Sequence, residues 1–283
     1  MGELVLAAKM THVPTLQMSE QDGPLKGKRQ AAINGHLEIA RRAKALDVDT
    51  VVICDTHWLV NAGFHINANA RFEGLLTSSE FPQFIRDLPY AHDGNPALGD
   101  AIAREATERG VYTLAHHLDS LDLEYGTLVP MHFMAREHPM KVVSIAAYCT
   151  VHDHDESRVL GEAIRAAVEA SDSRVLLVAS GSLSHKIWSN KDYAPNNGTF
   201  TISSEFNRQM DLRVLEMWQQ GDHATFLKML GDYARLCCGE GAMHDTAMLY
   251  GALGWDAYQG RCEIVTPYFP SSGTGQVNVI FPV

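Results

Sequence analysis

The stretch Val51-Val52-Ile53-Cys54-Asp55-Thr56-His57-Trp58 constrains this chain more than any other. Its apolar run, with three of four residues β-branched, is that of a short strand buried on both faces. The run then breaks into a polar tail that carries a histidine. In an open α/β sheet, ligands gather beyond the carboxyl ends of parallel strands. His57 therefore stands where a metal ligand or an acid–base group belongs. Residues 4–8 form a similar run that leads into Thr11-His12-Val13-Pro14, where Pro14 stops any ladder. Residues 174–179 form a third, which ends in Ser180-Gly181-Ser182-Leu183-Ser184-His185.

Helical spacing separates these strands. Residues 30–46 and 155–170 place their apolar side chains on one face, and 96–109 begins at Pro96 and is closed by Gly110. Residues 201–219, 224–230 and 242–253 also read as helices, and 63–68, 111–114, 141–148, 262–266 and 276–281 as strands. Tyr125 to Pro130 reads as a turn that leads into a helix containing His132. Residues 72–95, rich in Pro, Gly and aromatics, read as a long loop over the sheet edge. There is no internal repeat, low-complexity tract or linker. The pattern predicts an α/β fold with a central, mostly parallel sheet flanked by helices. The metal site is expected at the carboxyl ends of its strands, and residues 1–283 are expected to form one catalytic domain.

Composition removes several function classes. A formal charge of -11 argues against nucleic-acid binding, which needs clustered Lys and Arg. The cysteines are Cys54, Cys149, Cys237, Cys238 and Cys262, an odd number with no CxxC pair, which suits a reduced cytosolic protein. The first residues lack a basic segment followed by a long apolar one, so no signal peptide is expected. No run approaches the ~18 apolar residues of a membrane span. The expectation is a cytoplasmic enzyme, and for its size a symmetric homo-oligomer.

Four residues carry candidate chemistry: His12, His57, His185 and Glu240, the last between Gly239 and Gly241. Two histidines and a carboxylate opposite open positions form the facial set of non-haem Fe(II) oxygenases. A fourth group would be free to move a proton. The same donors suit zinc and a hydrolase. Singly, a histidine after a strand is more often bonded to backbone, and Gly-Glu-Gly is more often a surface turn.

Five blocks together carry more. Thr11-His12-Val13-Pro14, Asp55-Thr56-His57-Trp58, Leu123-Glu124-Tyr125-Gly126-Thr127-Leu128-Val129-Pro130, Ser180 to His185, and Gly239-Glu240-Gly241-Ala242-Met243-His244-Asp245 stand in one order. The set resembles the class III extradiol ring-cleaving dioxygenases, from the N-terminus to Ser271-Ser272-Gly273-Thr274-Gly275-Gln276-Val277-Asn278. The resemblance implies Fe(II) held by His12, His57 and Glu240, His185 as the acid–base residue, O₂ as co-substrate and a catechol as substrate. It is strongest toward members that act on 3,4-dihydroxyphenylacetate. That implies a role in aromatic-compound breakdown and a partner for the substrate's side-chain carboxylate, either Lys186 or the Lys26-Lys28-Arg29 loop. One block departs from the family. Many members have Asp-His-Gly where this chain has Glu124-Tyr125-Gly126, and that histidine has a second acid–base role. A phenol donates but is a poor base near neutral pH. The role falls to Tyr125 as a donor, or to His116 or His117. Asp55 either orients His57 or ends its strand, and His244 either touches the site or packs within its helix. Trp58 is read as packing and Cys237-Cys238 as a buried pair.

Overall fold

The structure is a computed structural model that describes residues 1–196 and 200–283. In chain order its strands are β1 (Glu3–Met10), β2 (Thr50–Val60), β3 (Phe64–Asn67), β4 (Arg71–Leu76), β5 (Leu88–Asp93), β6 (Thr113–His116), β7 (Lys141–Cys149), β8 (Arg174–Ser180), β9 (Glu263–Ser271) and β10 (Thr274–Phe281). Its helices are α1 (Thr15–Glu20), α2 (Gln30–Ala45), α3 (Pro96–Glu108), α4 (Tyr125–Met134), α5 (His154–Ala170), α6 (Asn190–Asn196), α7 (Glu205–Gln220), α8 (His223–Leu236) and α9 (His244–Leu253), with 3₁₀ turns at Glu240–Met243 and Trp255–Ala257.

Eight strands form one sheet in the order β6-β3-β7-β2-β8-β1-β10-β9. The central four, β7, β2, β8 and β1, are parallel, so their carboxyl ends share one edge. β10 runs antiparallel to β1, which brings the tight β9–β10 turn to that same edge. The central strands are buried on both faces, as continuous β-branched runs require. Helices α2 and α4 cover one face, through Ile39, Ala43, Leu128 and Met131. Helices α3, α5, α7, α8 and α9 cover the other, through Ile102, Ile164, Trp218, Phe226 and Tyr250. A fully buried ion pair, Lys9 Nζ to Asp245 Oδ2 at 2.6 Å, ties β1 to α9 beneath the edge. Among the described residues, no helix is long and apolar enough to cross a membrane.

Several elements differ from their sequence reading. β2 does not end before His57: it continues to Val60, with its register against β7 broken between Asp55 and Leu59. His57 lies in that irregularity, past the last β8 pair at Asp55↔Ser180, and such irregularities redirect side chains. Residues 72–95 are not one loop. Residues 71–93 contain the β4–β5 hairpin, whose Phe72 is buried in the core. Pro89 is tolerated because this two-stranded sheet has only edges. Helix α4 starts at Tyr125 itself, so the expected turn is its first turn. α7 starts at Glu205, because Ile202 and Ser203 are drawn into pairing with Gly273. α8 runs through Gly231 to Leu236, a glycine that an otherwise favourable helix absorbs. The expected helix 242–253 begins as a 3₁₀ turn and becomes α9 at His244.

Candidate metal centre and its cavities

Each chemistry-bearing side chain is set by the backbone just before it. At the end of β1, the Thr11 N–H donates to Asn278 Oδ1 (2.9 Å), its hydroxyl donates to Gln276 Oε1 (2.5 Å), and its carbonyl lies 2.9 Å from His36 Nε2. The next residue, His12, is thereby fixed. Its Nδ1 lies 2.9 Å from Ser180 Oγ. That hydroxyl donates to the Gly126 carbonyl, so it accepts from the ring. The proton then belongs on Nδ1, and the Nε2 lone pair faces inward.

Asp55, fully buried, accepts the His57 N–H at 2.8 Å and the Thr127 hydroxyl at 2.7 Å. It therefore joins β2 to the first turn of α4, where a carboxylate is favoured. The approach demands Gly126: a Cβ there would lie 2.0 Å from Asp55 Oδ1. Asp55 thus positions the His57 backbone rather than its ring. Tyr125, at the start of α4, reaches His57 Nε2 with its hydroxyl in a very short contact.

Glu240 stands on the turn between α8 and α9 and is 5% exposed. Thr56 Oγ1 lies 2.7 Å from its Oε1, and the Ser182 N–H donates to its Oε2. His12 Nε2 lies 3.0 Å and His57 Nε2 3.7 Å from Oε1, and His185 Nε2 lies 3.9 Å from Oε2. The loop carrying His185 is held by its own N–H on the Cys238 carbonyl (2.9 Å) and by Ser184 on the buried Asp211.

The ligand atoms of His12, His57 and Glu240 all lie within 4.8 Å of one another. Burial opposes ionisation of Glu240, but His12, His185 and His57 outweigh it and hold the carboxyl well below its usual range. Burial also opposes protonation of His12, but Glu240 raises its pKa. Burial and the neighbouring His12 push His57 down to about 3, so it is a neutral imidazole. Burial raises the Tyr125 phenol, which stays protonated. Two imidazoles and an ionised carboxylate, converging where a cation would be welcome, fit a divalent metal.

Two cavities meet here. One of about 360 Å³ has His12, His57, Tyr125 and His185 as its polar end and Phe81, Phe84, Ile187, Trp188 and Tyr193 as its apolar walls. Phe81 and Phe84 come from the link between β4 and β5. A second, of about 510 Å³, reaches Glu240, His57 and His185 past Tyr148, Arg235 and Cys238.

Other sequence candidates lie elsewhere. His116 pairs with His65 (2.7 Å) and His117 with Asp100 (2.8 Å) on and beside the edge strand β6, and neither lines either cavity. His244 is buried against Ser157. Cys237 is buried but Cys238 is exposed, so the two do not form a buried pair. Lys26, Lys28 and Lys186 are exposed, and among the described residues no Lys or Arg lines the first cavity. Arg29 is buried just behind its wall, donating to Thr15 Oγ1 at 3.2 Å, while Thr15 Oγ1 lies 3.2 Å from Ser271 Oγ. The supporting hydroxyls of Thr56 and Ser180 and the supporting N–H of Ser182 went unread in the sequence, although Ser180 and Ser182 stand in the block that ends at His185.

The family described as catalytic LigB subunit of aromatic ring-opening dioxygenase matches residues 6–282. The chain is 50% identical over 269 residues to the 3,4-dihydroxyphenylacetate 2,3-dioxygenase of Escherichia coli, covering 95% of this chain and 97% of that protein. It is 24% identical over 243 residues to the 2-aminophenol 1,6-dioxygenase beta subunit of a Pseudomonas species, covering 82% and 79%. In fold it is similar to the crystal structure of an uncharacterized protein from Escherichia coli K12, with a TM-score of 0.64, 13% identity, and 98% and 99% of the two chains covered.

Proposed function

The chain belongs to the family of catalytic LigB subunits of aromatic ring-opening dioxygenases, and from that membership we propose Fe(II)-dependent extradiol cleavage of 3,4-dihydroxyphenylacetate by O₂. The product is 5-carboxymethyl-2-hydroxymuconate semialdehyde. The observation that carries the reading is the convergence of His12, His57 and Glu240, with both histidines lining an aromatic-walled cavity. In this reading residues 1–283 act as one catalytic unit.

His12, His57 and Glu240 hold the metal. Fe(II), when bound, supplies adjacent positions for the diol and for O₂ and a path for electrons between them. The protein's own groups do the rest. Phe81, Phe84 and Trp188 wall the ring in, and their apolar surface limits water around it. His185 takes a proton from a substrate hydroxyl and returns it later, as an imidazole beside the reacting oxygens can. Tyr125, held as a phenol, donates a hydrogen bond and is not a base. The side-chain carboxylate is received by the Thr15 and Ser271 hydroxyls with the Arg29 charge behind them. Glu80, also on the cavity, would repel a carboxylate placed beside it.

A panel of substrates tests this. With iron-loaded protein, 3,4-dihydroxyphenylacetate is expected to give kcat/KM about 10²-fold above 2-aminophenol, because a site built to pair a polar group rejects analogues that lack it. Preference for 2-aminophenol would overturn the substrate, and cleavage of neither would overturn the reaction.

A further inference from the structure

We propose that the first turn of α5 clamps the turn that carries Glu240, with His154 and Ser157 as positioning residues for that carboxylate. The proposal rests on the reading of Glu240 as a metal ligand and extends it to residues outside both cavities.

The segment after Glu240 cannot hold its shape unaided. Gly241, Ala242 and Met243 have φ of 53°, 52° and 65° and ψ of 29°, 24° and 21°, three consecutive residues in the left-handed region. Two of the three carry a Cβ, which disfavours that conformation for steric reasons. Conformations of this kind persist only where the surroundings over-determine them. The direction of the Glu240 side chain depends on this backbone, because the residue opens the turn.

Two contacts from one helix face supply the restraint. His154 Nε2 lies 2.7 Å from the Ala242 carbonyl, and because a carbonyl only accepts, the ring nitrogen donates. Ser157 Oγ lies 2.8 Å from Nδ1 of the buried His244, the residue directly after the left-handed run. His154 and Ser157 are three positions apart, so they share a face of α5 and hold the middle of the run and the residue that follows it. The His154 and His244 rings sit 5.1 Å apart between them. α5 is itself fixed at this end by a reciprocal cap between Asp153 and Glu156. From the opposite side, Gly241 presses on β2 and β7: a Cβ there would lie 2.8 Å from Thr56 Cγ2 and 3.1 Å from the Ala147 carbonyl. The turn is therefore gripped between the sheet edge and the α5 terminus. Partners of this kind outside the ligand set are worth about 10–100-fold in metal affinity.

The test uses the metal-free full chain titrated anaerobically with Mn(II), alongside melting temperature without metal. His154→Leu removes the donor and keeps bulk, and His154→Gln restores an N–H of similar reach. The expected result is an Mn(II) Kd raised about 10–100-fold in His154→Leu and returned to within about threefold of wild type in His154→Gln. Ser157→Ala is expected to raise Kd in the same direction, and it carries the test if His154→Leu does not fold. Glu240→Gln, measured in parallel, separates the two claims. If Glu240→Gln loses Mn(II) while His154→Leu and Ser157→Ala bind within twofold of wild type, the clamp is overturned and the ligand reading stands. If Glu240→Gln binds Mn(II) like wild type, the ligand reading falls and the clamp with it. Equal weakening in His154→Leu and His154→Gln would also overturn the donor role.

Discussion

At the scale of single residues, the proposed function separates holding a metal from moving a proton. His12 and Glu240 are buried, linked to each other at 3.0 Å and backed by Ser180, Thr56 and Ser182. His185 is 30% exposed and 3.9 Å from the nearer Glu240 oxygen, so it can turn toward a substrate without disturbing the donor set. Tyr125 touches His57, yet burial fixes it as a donor. These differences fix an order of effects. His185→Ala is expected to lower kcat by about 10²–10⁴-fold, the usual worth of acid–base help, with metal content unchanged. Tyr125→Phe is expected to cost about tenfold or less, since one neutral hydrogen bond is worth roughly 0.5–1.5 kcal/mol. Steady-state kinetics with metal analysis on both variants checks this, and a larger loss in Tyr125→Phe than in His185→Ala would reverse the assignment.

At the scale of elements, helices hold the strand ends in register. α4 does so through Asp55, Thr127 and Gly126, and α2 through His36. The His36 ring is fully buried, with Nδ1 2.9 Å from the Ala32 carbonyl and Nε2 2.9 Å from the Thr11 carbonyl, beside His12. Burial drives its pKa down to about 4, against the opposing pull of the two carbonyls. A folded-state pKa below the ordinary value of about 6.5 leaves His36 neutral in both states at higher pH, where the full stability is present. As pH falls from about 6.5 toward 4, the unfolded chain takes up a proton that the folded one refuses, and stability is lost. For the metal-free protein the loss from this group is expected to reach about 2 kcal/mol at pH 5, read from denaturant midpoints. His36→Gln is expected to shrink that acid-side loss, and an unchanged pH slope in the variant would rule His36 out as its source.

At the scale of the molecule, three parallel strands, β1, β2 and β8, deliver His12, His57 and His185 to one edge, and the α8–α9 turn brings Glu240 to them. That convergence was legible in the sequence because buried β-branched runs are distinctive and each leads to a histidine. What was illegible has physical causes. At His57 the β2 register against β7 is broken and the pairing with β8 has ended, and both are long-range facts. The β4–β5 hairpin hides under Pro and Gly because each of its strands buries a single residue, Phe72 and His92, and so shows no continuous apolar run. The left-handed run at Ala242 and Met243 defies residue preference, and the α5 and sheet contacts that meet it come from parts of the chain far away in sequence. For the carboxylate partner the sequence points to Lys186 or to the Lys26-Lys28-Arg29 loop without separating them, because burial is a tertiary property: the three lysines are exposed, whereas Arg29 is buried under Phe200 and Phe269 and donates to Thr15 Oγ1.

The most direct test of the whole account is to load the metal-free chain anaerobically with Fe(II), add 3,4-dihydroxyphenylacetate, and then admit O₂ while following absorbance and product mass. The expected result is no reaction before O₂. After O₂, a yellow semialdehyde carrying both oxygen atoms should form, with Glu240→Gln inert throughout. Full turnover by Glu240→Gln, or an iron-loaded chain that consumes neither O₂ nor the catechol, would contradict it.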